Sequence, residues 1–243
     1  MATIALARRR RWAPEHIFYT GIAASMLVAV FIGFAPSWFL VPFNGRPAHV
    51  LSPTPLVHLH GAVFSAWMLL FVTQTALAGA GRTDIHRRLG MLGLPLVIAM
   101  IVIGTLTGLH GVARASGPPI VPPLSWAAIP LFAVPGFGGL ILAALWKRRA
   151  PQTHKRLMVL AMVPMMGAAF GRMPWFAGLS GIVLVPALYI VLVALWDMAT
   201  IRRIHRATLW GGLYALAAMV LPILVWQTEA WLGFARWAAA LVA

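Results

Sequence analysis

Long apolar runs alternate with short basic clusters along most of this chain. A helix crossing a bilayer core needs about 20 mostly apolar residues. Seven runs reach that length, over 17–40, 55–79, 90–112, 125–146, 157–176, 180–199 and 210–228. The pattern predicts an all-α fold, a polytopic transmembrane helical bundle forming one integral membrane domain over 1–243. The fifth and sixth runs are separated only by Ala177-Gly178-Leu179-Ser180. Prolines stand inside the runs, at Pro36, Pro95, Pro130, Pro135, Pro164, Pro186 and Pro222. A bilayer tolerates them because neighbouring helices satisfy the freed backbone groups. Gly104, Gly108, Gly167, Ala168 and Gly171 are expected at close helix contacts. Met158, Met162, Met165 and Met166 are expected to pack; a copper relay is the sharper alternative.

Composition sharpens this picture. The chain is 61% hydrophobic and 9% charged, against roughly 45–50% and about 25% in soluble domains. A soluble globule and a disordered chain are both excluded. The net charge of +15 invites a nucleic-acid reading, but the basic residues sit between apolar runs and form no continuous face, so no nucleic-acid partner is expected. Arg8 to Arg11, Arg82, Arg87, Arg88, Lys147 to Arg149, Lys155, Arg156, Arg202, Arg203 and Arg206 fall on one side. Arg46, Arg114, Arg172 and Arg236 fall on the other. That asymmetry predicts a cytoplasmic N-terminus and, after seven crossings, an external C-terminus. The expected location is a bacterial cytoplasmic (inner) membrane, with the lipid bilayer as the first partner. The run after Arg11 is too long for the apolar core of a signal peptide, about 7–15 residues, and is read as a retained span. Trp38, Trp126, Trp146, Trp175, Trp196, Trp210 and Trp231 fall near span ends, as an interfacial belt requires.

A weak repeat accompanies the basic loops. Three of them carry a histidine followed by a basic residue: His86-Arg87-Arg88-Leu89, His154-Lys155-Arg156-Leu157 and His205-Arg206-Ala207-Thr208. The repeat suggests three helical hairpins following the first span. Imidazole is the commonest protein ligand of haem iron and transition metals. His86 and His154 are therefore candidate cofactor ligands. Arg87, Arg88 and Arg156 are candidate contacts for haem propionates or for anionic lipid head groups. The plainer reading is that these clusters bind lipid phosphate and hold topology.

A second set lies toward the other side. His60, Trp67 and Gln74 are spaced by seven and share one helix face. That stripe should turn inward, since His and Gln facing lipid are costly. His110 would meet it across the second and third spans. His60 and His110 are thus further candidate haem or metal ligands, and with His58, Arg172 and Glu229 they would form an outer polar site; the alternative is a set of solvated interfacial residues. His16 and His49 lie in flanking segments.

Several chemistries are excluded. There is no cysteine, hence no disulfide, iron–sulfur cluster or thiolate metal site. No His-Glu-x-x-His, phosphate-binding loop or Gly-x-Ser-x-Gly occurs. Lys147 and Lys155 are read as loop residues, leaving no lysine in a span for a retinal Schiff base. Four carboxylates, Glu15, Asp84, Asp197 and Glu229, are too few for a carboxylate-bridged metal centre.

His58-Leu59-His60-Gly61 with Trp67, His86-Arg87-Arg88-Leu89-Gly90 and His154-Lys155-Arg156-Leu157-Met158 resemble a family of bacterial multi-span inner-membrane proteins with a cytoplasmic His-Arg-x-x-Gly motif. The chain also bears a fainter similarity to cytochrome b561-type membrane proteins and to small factors of terminal-oxidase maturation. The b561 resemblance implies histidines on facing helices holding haem b. The histidines repeated at matching places make a haem b-binding or haem/quinone-linked redox protein the function expected. The alternatives are a non-catalytic membrane subunit or assembly factor with a membrane protein partner, and a small-solute transporter.

Overall fold

The computed structural model describes residues 13–48, 50–118, 121–176 and 178–242. Arg8 to Arg11, His49 and Ala177 lie outside them. All regular structure among the described residues is helical. In chain order the helices are α1 (Pro14–Phe34), α2 (Val41–Asn44), α3 (Pro55–Gly79), α4 (Thr83–Gly90), α5 (Gly93–Ala113) and α6 (Pro123–Trp126). There follow α7 (Ala128–Trp146), α8 (Pro151–Phe170), α9 (Val185–Ile201), α10 (Arg206–Val225) and α11 (Glu229–Ala240). Single π-helical turns extend α1 over Ala35–Phe39 and precede α9 over Ser180–Leu184. Both adjoin a proline, Pro36 and Pro186, where the missing N–H breaks the regular ladder.

Local chemistry sets the ends. Thr54 caps α3 by accepting from the Val57 N–H, and Pro55 occupies the first helical position, where its missing donor costs nothing. At the other end, Gly81 takes φ +73°. The Arg82 N–H reaches the Leu77 carbonyl at 2.8 Å and the Gly81 N–H reaches Ala78 at 3.1 Å. That paired pattern is a Schellman stop. It reverses the chain into α4, a short amphipathic helix that detaches from the run expected to begin at residue 90. Pro151 likewise starts α8 six residues before the expected boundary, so Lys155 is helical and not in a loop. A final helix, α11, follows where no element was expected; Thr228 caps it.

Among the described residues, six helices are long and apolar enough to cross a membrane: Pro14–Phe39, Pro55–Gly79, Gly93–Ala113, Pro123–Trp146, Ser180–Ile201 and Arg206–Val225. The remaining long helix, α8, is 20 residues and opens on the polar stretch Gln152 to Arg156. It is also the most enclosed. It packs against α1, α7, α9 and α10, and Trp67 of α3 donates its indole N–H to Met162 Sδ at 3.1 Å. Leu160, Ala161, Val163 and Ala169 have no exposure at all. A helix enclosed along most of its length has little lipid-facing surface to keep apolar, so α8 can carry the polar stretch at its start. Met162 and Met166 are buried in this core, with Met158 and Met165 packed against it, as expected of gap-filling side chains.

Small residues allow the close approaches. A Cβ on Gly33 of α1 would strike the Ala169 backbone of α8. One on Gly167 would lie 2.8 Å from the Ile182 carbonyl oxygen. Gly104 packs under Phe64 and Val134, Gly108 against Pro130, and Gly171 against Ile182. Ala168 is a correction: it is exposed, and its neighbour Ala169 makes the helix contact, because one residue turns the side chain about 100° around the axis.

Gly33→Ala should lower stability by roughly 1–3 kcal/mol through overpacking. Gly21→Ala, with no heavy atom near the added carbon, should be neutral or slightly stabilising. Thermal unfolding of the detergent-solubilised protein measures both; equal melting temperatures for the two variants would contradict this packing.

Candidate functional site

The helices α3 and α7 meet where Trp67 sets its ring edge-on to Phe137, with centroids 5.3 Å apart. Seven residues further along each helix, about 10 Å on and on the same face, come Gln74 and Ala144. Their carbonyl oxygens accept from the Nδ1–H groups of His86 and His154, at 3.2 Å and 2.8 Å. The Gln74 amide donates in turn to the His86 carbonyl at 3.0 Å. Two loops are thus tied back to the preceding helix by the same device, at the same depth. The imidazoles lie within electrostatic range of one another. A carbonyl can only accept, so Nδ1 carries a proton, and in the neutral ring Nε2 keeps its lone pair. That is the tautomer of a metal-binding histidine oriented by a backbone carbonyl.

His205 departs from the pattern. Its Nδ1 accepts from the Ala207 N–H at 3.0 Å and caps α10; the proton therefore sits on Nε2. Burial lowers its pKa, helped by the charges of Arg156 and Arg203 and opposed by Asp197. The neutral form that the cap requires is thereby favoured.

Next to His205 lies the most buried charge pair among the described residues. Arg156 of α8 is 1% exposed and Asp197 of α9 is fully buried. Nε and Nη2 of Arg156 reach Asp197 Oδ1 at 2.9 and 2.5 Å. Nη1 donates to the carbonyl and side-chain oxygens of Gln152, both at 2.7 Å. Asp197 Oδ2 accepts from Thr208 Oγ1 at 2.5 Å and from the His205 N–H at 3.0 Å. Beside it, Lys155 pairs with Glu15 of α1 and lies over the Tyr19 ring, 4.9 Å from its centroid. This cluster binds the starts of α1, α8 and α10 and the end of α9 together.

Arg156 is consequently a correction. It is committed to Asp197 and is not free to meet a propionate or a lipid phosphate. Arg87 and Arg88 remain exposed in the last turn of α4, next to His86. Asp197 and Thr208 were not singled out from sequence. The signal was present: an ionisable residue inside an apolar run demands a partner.

His60, Trp67 and Gln74 share the inward face of α3, with His60 toward the opposite end. His60 stacks on Phe64, with centroids 3.9 Å apart, and its buried Nδ1 has no hydrogen-bond partner. Arg172 lies over the Phe34 ring at 4.4 Å, donates to the Ala168 carbonyl at 2.6 Å, and is in electrostatic range of His60. His58 is exposed beside Trp38. His110 is half-buried in α5, and Glu229 is exposed in the first turn of α11. Among the described residues, no hydrogen bond or ion pair joins His110 or Glu229 to His60 or Arg172. Nor does any group of three or more histidines and carboxylates gather there to hold a metal ion.

Two clefts open at the surface. One of about 510 Å³, at the basic end, is lined by Glu15, Gln152, Arg156, Thr200, Ile201, Arg203 and His205. The other, of about 620 Å³, lies between α6 and α11, against Leu124, Ser125, Leu232 and Arg236.

Asp197→Asn should destabilise the protein by about 3–5 kcal/mol, because it strands the Arg156 charge. Arg156→Met combined with Asp197→Leu should recover most of that loss. Wild-type thermal stability in the single variant would refute the pairing as a structural element. Comparison of the chain with protein-family models, with curated proteins and with solved structures finds no match.

Proposed function

We propose that this chain is a seven-span bacterial inner-membrane protein that holds a haem b, or a related redox group, on His86 and His154. The seventh crossing is α8, whose length and position among the other helices support it. The basic loops share one end of the bundle, which supports a cytoplasmic N-terminus. The three-hairpin repeat draws support from His86 and His154, which tie their loops in the same way, whereas His205 uses a different bond.

The observation that carries the reading is the pair of imidazoles anchored through Nδ1 to backbone carbonyls of α3 and α7, an arrangement that in the neutral ring leaves Nε2 for a metal. Ligand chemistry fits haem iron: nitrogen donors, tautomer fixed from behind, and Arg87 and Arg88 exposed alongside for propionates. The group would supply one-electron chemistry when bound; the chain's own residues orient the two rings and fix their protons. Gln74 takes part by holding the His86 loop at both its carbonyl and its side chain.

A second reading is a non-catalytic subunit or assembly factor. It is favoured by how fully the polar groups are used structurally: Arg156, Asp197, Lys155, Glu15 and His205 all hold helices together. A transporter finds less support, because α8 occupies the middle of the bundle where a solute path would run.

Haem-replete expression and a dithionite-reduced minus air-oxidised spectrum test the leading reading. Sharp Soret and α-bands are expected, with His86→Ala and His154→Ala each abolishing or shifting them while the protein stays folded. A flat spectrum, or bands unaffected by both variants, removes the haem reading; co-purification of a stoichiometric membrane partner would then favour the second.

A further inference from the structure

The cleft at the corner between α9 and α10 is not used by the imidazole pair. Asp197 is consumed by Arg156, Thr208 and His205. Glu15 is consumed by Lys155. Gln152 receives Arg156 through its oxygen, and the Thr200 hydroxyl donates to the Trp196 carbonyl at 2.7 Å. Arg203 and His205 both line the cleft, and among the described residues neither the Arg203 guanidinium nor the His205 Nε2–H has a hydrogen-bond partner. Arg202 and Arg206 flank them, both exposed. Among the described residues none of these three arginines has a carboxylate partner.

The backbone adds an independent sign. Arg202 closes α9 in the left-handed region, with φ +58° and ψ +17°. Glycine or asparagine ordinarily stands there. Non-glycine residues held in that region cluster at ligand clamps. Here the turn sets Arg203 and His205 on the cleft wall.

We propose that this corner binds a phosphate ester through Arg203 and His205, with Arg202 and Arg206 adding charge. A guanidinium fork and an imidazole N–H suit the multiple acceptor oxygens of phosphate. The cleft opens where the helix ends would meet a head-group layer, so the phosphate can be that of an anionic phospholipid or of a free soluble ester. The site is separate from His86 and His154 and stands or falls independently of haem.

The test uses the full chain, delipidated in detergent. Its melting temperature is followed against added phosphatidylglycerol and, in a separate series, inorganic phosphate. Wild type should be stabilised in at least one series. Protection by phosphatidylglycerol alone assigns a lipid; protection by inorganic phosphate as well assigns a soluble ester. Arg203→Gln should weaken the apparent affinity roughly tenfold, the loss of one charge-assisted contact. His205→Asn keeps a helix cap while removing the Nε2–H, and should weaken it too. Arg148→Gln, an exposed change on the α7–α8 loop, should leave affinity unaltered. No stabilisation in either series, or equal affinity in Arg203→Gln and wild type, overturns the proposal.

Discussion

Arg156 enters the bundle as a charge without access to water, and Asp197 makes that tolerable. An isolated guanidinium in a low-dielectric interior is costly by many kcal/mol. Here every nitrogen has an acceptor, and both carboxylate oxygens are filled. The pair also fixes geometry. It joins α8 to α9, and through Thr208 and the His205 N–H it joins both to α10. Because the partners come from three helices, sliding any one of them would break several charge-assisted bonds at once. Such a network specifies one arrangement more sharply than apolar contacts, which tolerate sliding.

The enclosed position of α8 follows from the same constraint. A helix that begins Gln152-Thr153-His154-Lys155-Arg156 cannot turn that stretch toward acyl chains. Surrounded by α1, α7, α9 and α10, it meets partners on every side. Glycines then let the neighbours come close, Gly33 from α1 and Gly181 from the π-turn before α9. Packing without a hydrophobic drive depends on such close backbone approach. The polar start and the small-residue middle are two requirements of one central helix.

The two candidate centres differ in kind. His86 and His154 are outward consequences of the bundle: each closes a loop onto the helix before it, and among the described residues each Nε2 makes no hydrogen bond. The corner formed by Arg203 and His205 is a surplus of charge left after every carboxylate nearby has been used. His60 and Arg172, at the far end, share a neighbourhood of aromatic rings, yet His110 and Glu229 stand apart from them.

What the sequence determined by itself was set by solvent and period. Run length and composition required membrane-crossing helices, because 18 or more apolar residues have few other soluble uses. The seven-residue spacing of His60, Trp67 and Gln74 put them on one inward face, because helical geometry is local. Only the tertiary structure decided which helix stands in the centre, because enclosure depends on all the neighbours together. It alone revealed that Arg156 belongs to Asp197, forty-one residues away, since spacing carries no information about partners on other helices. The start of α8 at Pro151, the detachment of α4 at Gly81 and the existence of α11 behind the Thr228 cap were likewise decided by local end signals, whose effects outweigh hydropathy at element ends. Equal depth for His86 and His154 came from the parallel register of α3 and α7, fixed by the Trp67–Phe137 contact, a relation between two helices that no single run of residues contains.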